Sequence, residues 1–132
     1  MKHLKEILSS LSFKGRITRA EFVVRFVIGA LIFAFAAFYL TNPSLRTKPL
    51  WSAPLLIYSF CYCTAIIARR LHDLGLSGWL SILNIFIFLT FEYFQLVSVG
   101  YMFEFVFYVA LITIKGKPSD NKYGPNPYII ED

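Results

Sequence analysis

The chain has 132 residues, the length of one domain, but it is 57% hydrophobic, 18% aromatic and only 16% charged. A soluble globule of this size has too little interior to hide that much apolar surface. The net charge of +5 does not point to nucleic acid, because the cations sit between apolar segments and form no stripe, which is the pattern of membrane topology.

Residues Met1 to Phe13 read as a short interfacial amphipathic helix, with Leu4, Ile7, Leu8 and Leu11 at helical spacing and Lys2, Lys5 and Glu6 on other faces. No cleaved signal peptide is expected, since the polar start is followed by an apolar run without a small-residue cleavage site. Gly15 turns the chain. Thr18, three residues before Glu21, then forms a capping box, with Ile17 and Phe22 as its hydrophobic staple. A first transmembrane helix is predicted from there, crossing over residues 22–40. Arg25 is placed to pair with Glu21 at i, i+4. Ala30, Ala34 and Ala37 make a small-residue stripe, read as a contact face for a neighbouring helix or a second copy.

Residues Thr41 to Ser52 contain Asn42-Pro43, Pro49, Arg46 and Lys48 and read as a loop, with Trp51 at the membrane interface. A second span is predicted over 53–70, its helix continuing to Leu74 with Gly75 as the stop. Cys61 and Cys63, two apart in a helix, point to different faces and read as structural fillers. Ser77 is the expected N-cap of a third helix, spanning 79–97, on which Ser81, Asn84, Phe88, Glu92 and Gln95 share a face. A tight connection at Ser98 to Gly100 leads to a fourth span over 100–114. The remainder, rich in Gly, Pro, Asn and Asp, leaves the membrane as a tail that Asn121, Gly124 and two prolines predispose to fold back, with Tyr123 offered for docking.

The expected fold is therefore all-α: a single integral membrane domain over 1–132, built as a four-transmembrane-helix bundle with a short N-terminal interfacial helix. Cations set its orientation. Lys2, Lys5, Lys14, Arg16, Arg19 and Arg25, then Arg69 and Arg70, then Lys115, Lys117 and Lys122 fall on one side, against Arg46 and Lys48 on the other. Both termini and the central turn are thus expected in the cytoplasm.

Three polar segments meet on that side: FKGRITRAEF, ARRLHDLGLSGW and NKYGPNPY. They resemble the signature stretches of the domain-of-unknown-function family 805, small bacterial inner-membrane proteins. The resemblance runs from Phe13 to Tyr128, and RRLHDLGLSGW is its most specific part. Val23-Val24 departs from it, where the family commonly has an aromatic residue. A four-helix, multi-pass protein of the bacterial inner membrane is what the resemblance implies; it implies no reaction.

Asp73 sits at a helix C-terminus, where the macrodipole disfavours an anion. Nearby cations must compensate, and an ionic lock is expected among Arg16, Arg19, Arg69, Arg70 and Asp73. With His72, Ser77 and Gly78 these residues form a candidate site for an anionic lipid headgroup, since basic pockets between helices on the cytoplasmic side bind such groups. Glu92 and Glu104 are expected toward the outer ends of their helices, as ion pairs with Arg46 and Lys48; their alternative reading is a small transporter. His72 with Asp73 is too small a set for a metal and only a weak catalytic pair. The expectation is a non-catalytic binding or scaffold protein without cofactor or metal, whose partners are anionic membrane lipids, a membrane protein or a second copy, and not nucleic acid.

Overall fold

The computed structural model describes residues 9–42, 44 and 49–128. Among them are four α-helices: α1 (Arg19–Thr41), α2 (Ser52–Asp73), α3 (Trp79–Tyr93) and α4 (Val97–Thr113), with no strand beyond an isolated bridge between Asn121 and Gly124. The all-α expectation is met. Of the expected N-terminal helix, Ser9 and Ser10 are helical, while residues 1–8 lie outside the described residues.

The start of α1 follows its sequence closely. Thr18 Oγ1 accepts from the Glu21 amide at 3.2 Å and Glu21 Oε2 accepts from the Thr18 amide at 3.1 Å, the reciprocal bonds of a capping box. Ile17 and Phe22 are both buried and belong to one core cluster. Arg25 donates to Glu21 at 3.0 Å, with both side chains two-fifths exposed, so the pair adds little stability.

The buried positions on α1 are Phe22, Gly29 and Ala36, seven residues apart. As a contact face for a neighbouring helix of the same chain, the predicted alanine stripe is corrected: Ala34 is exposed, and the contact seam is rotated toward Gly29. A Cβ on Gly29 would stand 2.7 Å from Cys63 Sγ and 2.9 Å from the Tyr62 ring, so glycine is what lets α1 approach α2 there. Cys61 and Cys63 are free and half-buried.

Helix α2 is the central element. Every residue from Thr64 to Asp73 is buried, and the hydroxyls it carries in apolar surroundings turn back onto its own carbonyls, Ser59 on Leu55 at 2.9 Å and Thr64 on Phe60 at 2.9 Å. Leu74, Gly75 and Leu76 close it in a Schellman motif. The Leu76 amide bonds to Leu71 O and the Gly75 amide to His72 O, with Gly75 at φ 78° as anticipated. At its other end Trp51 stacks on Phe35 and meets Tyr39 edge-on, an aromatic cluster of the kind found at membrane interfaces.

The α3–α4 boundary differs from expectation. Helix α3 ends at Tyr93, and the connection is Phe94 to Leu96 instead of Ser98 to Gly100. Gln95 adopts φ 58° and completes a second Schellman motif, with Leu96 N on Phe91 O at 2.8 Å and Gln95 N on Glu92 O at 3.0 Å. Gly100 lies inside α4 for a packing reason, since a Cβ there would come within 3.1 Å of the Phe91 Cβ. The start of α3 is one residue later than predicted, with Gly78 as N-cap, although Ser77 Oγ still accepts the Trp79 amide at 3.4 Å.

The four helices pack in a ring, α1 against α2 and α4, α3 against α2 and α4. Helices α1 and α2, of 23 and 22 residues, are long and apolar enough to cross a membrane. The 15-residue α3 and 17-residue α4 are apolar but shorter, about 22 and 26 Å at ~1.5 Å per residue. The core of Ile17, Phe22, Ile66, Ile67, Leu71 and Leu111 gathers at the end of the ring where Asp73 lies.

Candidate functional site

Asp73 is the last residue of α2, and its side chain is fully buried. Arg16, in the extended stretch before the α1 cap, donates to Asp73 Oδ1 from Nε at 3.2 Å and from Nη2 at 2.9 Å. Arg70 Nη1 donates to Oδ2, and the Tyr128 hydroxyl reaches the same oxygen at 3.0 Å. Two guanidinium groups thus supply the positive charge that the helix end withholds.

Both arginines also donate to backbone carbonyls. Arg16 holds Ser119 O at 2.8 Å and Lys117 O at 2.6 Å, while Arg70 holds Leu111 O at 2.8 Å and also Ile114 O. Leu111 and Ile114 lie at the C-terminal end of α4, whose carbonyls lack helical partners. Asp73 O in turn accepts the Lys117 amide at 2.9 Å. The cluster therefore pins the chain before α1, the end of α2, the end of α4 and the tail to one another.

Two members of the expected lock are elsewhere. Arg19, the first residue of α1, reaches Thr113 O at 3.3 Å on the exposed side. Arg69 projects from a different face of α2 than Arg70 and donates to Ala65 O at 3.3 Å and Ser10 O at 2.8 Å. Consecutive helical residues diverge by about 100°, so only one of the pair can meet Asp73.

His72 does not meet Asp73 either. Its Nδ1 lies 3.1 Å from Gly15 O; a carbonyl only accepts, so that nitrogen carries the proton and Nε2 is left as an acceptor. The ring stacks on Tyr123 at 3.8 Å and 6°. Nε2 faces Gly78, where a Cβ would come to 2.7 Å of it. Tyr123 is held in place by a fixed tail: its amide bonds to Asn121 Oδ1 at 2.9 Å, Asn121 Nδ2 donates to His72 O at 2.9 Å, and Asp120 and Asn126 close the next turns. The fold-back expected from the tail's turn residues is present.

Beside the His72–Tyr123 stack opens a cavity of about 420 Å³ lined by Phe13, His72, Ser77, Gly78, Trp79, Ile82 and Tyr123. Its walls are aromatic and aliphatic, and Trp79 stands three-quarters exposed at its edge. His72, Ser77 and Gly78, expected beside the arginines, thus belong to an open site, whereas Arg16, Arg70 and Asp73 belong to a closed one.

Glu104 and Glu92 also separate. Glu104 lies mid-way along α4 and accepts from Asn84 Nδ2 at 2.9 Å, so its placement near the outer end is corrected; Glu92 is exposed near the end of α3. Arg46 and Lys48 lie outside the described residues. No set of three His, Cys, Asp or Glu residues able to hold a metal occurs among the described residues. Sequence reasoning missed Tyr128 on Asp73 and the Asn84–Glu104 bond, for which the only signal was the polar face shared by Ser81 and Asn84.

No curated protein and no solved structure gives a match to this chain. Residues 10–125, which take in the Arg16–Asp73 cluster and the cavity beside Tyr123, match the protein family of unknown function DUF805, and the chain belongs to that family.

Proposed function

We propose that this is a multi-pass protein of the bacterial inner membrane, a single four-span domain with both termini and the Leu74–Gly78 turn in the cytoplasm, and that it binds an anionic amphiphile without catalysing a reaction. The outward faces of the helices support the membrane reading: Val24, Val27, Ile28, Leu31, Phe35 and Phe38 on α1 and Phe105, Val106 and Val109 on α4 are exposed, more apolar surface than water-soluble proteins carry. Helices α3 and α4 are short for a core about 30 Å thick, a mismatch that local bilayer thinning accommodates. The cations of residues 14–25, Arg69, Arg70 and Lys115 to Lys122 all support the same cytoplasmic side.

The observation that carries the binding reading is the apolar cavity beside the His72–Tyr123 stack. Arg16 and Arg70 are buried and held by Asp73 and by backbone carbonyls, so the attraction for an anion passes to exposed cations near the cavity. Lys14 follows Phe13 in the chain, and Lys122 lies 5.0 Å from the Tyr123 ring centre. An acyl chain would enter between Phe13, Trp79 and Ile82 while the headgroup met these lysines.

The test is lipid mass spectrometry on full-length protein from nanodiscs with equal phosphatidylglycerol and phosphatidylcholine. Retained phosphatidylglycerol is expected in the wild type, and roughly ten-fold less in Trp79→Ser and in Lys122→Gln, the equivalent of one lost charge-assisted contact. Equal retention of both lipids, or unchanged retention in both variants, would sink this reading. Co-purification of a membrane protein or a second copy in place of lipid would assign the cavity to that partner instead.

A further inference from the structure

His72 brings more than an aromatic wall to the cavity beside Trp79. The residue is only 8% exposed, and its Nδ1 proton is committed to Gly15 O, which makes Nε2 an acceptor. That nitrogen has no hydrogen-bond partner among the described residues, yet Asn84 Oδ1 is the one side-chain polar atom there that is both unpaired and sealed from solvent. Nε2 is therefore open to the cavity that His72 lines. The ring is held in this orientation from both sides: by Gly15 O at one edge and by Tyr123, stacked flat on it at 3.8 Å and fixed in turn through Asn121.

Against Nε2 lies the start of α3. Ser77, Gly78 and Trp79 line the same cavity, where the first amides of a 15-residue helix have no helical carbonyls to meet and the helix dipole favours negative charge. Exposed Lys122, 5.0 Å from the Tyr123 ring centre, adds a cation beside them. The site thus makes two demands. The nearly buried imidazole needs a proton donated to it, and its surroundings favour an anion.

We infer that the amphiphile of this cavity carries a phosphate monoester headgroup, an inference that rests on the lipid reading above. A monoester loses its second proton at a pKa of about 6, close to the roughly 6.5 of imidazole. The two groups together therefore keep one proton, shared between a phosphate oxygen and His72 Nε2. The other phosphate oxygens accept from the α3 start, from the Ser77 hydroxyl and from Lys122. A phosphodiester offers the anionic oxygens without that proton and leaves Nε2 unmet. A free phosphate monoester has the same headgroup chemistry but lacks the acyl chains that the apolar walls favour.

The test is lipid mass spectrometry on the full chain in nanodiscs holding equal amounts of phosphatidic acid, phosphatidylmethanol and phosphatidylcholine with the same acyl chains. Phosphatidylmethanol differs from phosphatidic acid by one methyl group that caps the phosphate. Phosphatidic acid is expected to be retained over it by roughly ten-fold, one hydrogen bond to a charged partner. His72→Phe, which keeps a ring on Tyr123 but no acceptor, should abolish that preference and leave phosphatidylmethanol retention unchanged. Gly78→Ala, whose methyl would stand 2.7 Å from Nε2, should reduce it. Soluble glycerol phosphate at the lipid's concentration should not displace phosphatidic acid; displacement would assign the site to a free monoester and overturn the lipid source. Equal retention of the two anionic lipids, or a preference that survives in both variants, would overturn the monoester inference and leave the lipid reading standing. Retention of neither above phosphatidylcholine would sink the lipid reading itself. The comparison among lipids on the wild-type chain needs no variant to fold.

Discussion

Asp73 occupies a position that is electrostatically poor by itself, an anion among the free carbonyls at the end of α2, and it is fully buried there. Arg16 and Arg70 make the position stable, and each also needs Asp73, because neither buried guanidinium has another carboxylate among the described residues. Replacing one member of such a group leaves uncompensated buried charge, which costs about 3–5 kcal/mol. Asp73→Asn should therefore destabilise the protein by that amount in chemical denaturation in micelles, whereas Tyr128→Phe, which removes the bond to Asp73 and a long one from Arg70 on a partly exposed ring, should cost about 1 kcal/mol. The need for a cation from the N-terminal segment was legible from the helix-end argument alone. Its identity was less so: Arg16 lies in extended chain beside buried Ile17 and turns inward, while Arg19, one turn of chain later, is already on α1 and turned toward Thr113.

The start of α1 and the end of α2, which carry strong local signatures, were read correctly, whereas Ser77 was one residue early as the cap of α3 and the end of α3, without such a signature, was misplaced. Thr18 with Glu21 opens α1 and Gly75 closes α2 as their residue types require. The end of α3 carries Gln95 in the left-handed region, a conformation that disfavours any side chain, and the nearby Gly100 drew the predicted boundary to itself. Two substitutions follow from this. Gln95→Gly should raise thermal stability by about 1 kcal/mol, and Gly75→Ala should lower it by about 1–2 kcal/mol, since the left-handed cost falls on any residue with a Cβ. The added methyl at Gly75 would also displace the Lys117 side chain that lies over it. Melting curves of the two variants beside wild type check both signs.

The ring of helices is closed at its Asp73 end by the tail, which reaches back across α2 through Lys117, Asn121, Tyr123 and Tyr128. Gly116 sets how closely it can lie, because a Cβ there would collide with the Asp73 carboxylate. Gly116→Ala should therefore push the tail away from the Asp73 end of α2, and trypsin should cut after Lys122 faster by roughly ten-fold, a loss of ~1.4 kcal/mol of docking; cutting at the wild-type rate would show that the tail is held by other means. Helix periodicity, caps, the apolar exteriors and the three polar segments are consequences of residues close together in the chain, so they were readable without coordinates. The choice of Arg16 and Arg70 for Asp73, the stacking of Tyr123 on His72 with a cavity beside it, and the meeting of Asn84 with Glu104 depend on how each helix is rotated about its axis. That rotation comes from packing between distant residues such as Gly29 on Cys63 and Gly100 on Phe91, and no local pattern of side chains encodes it.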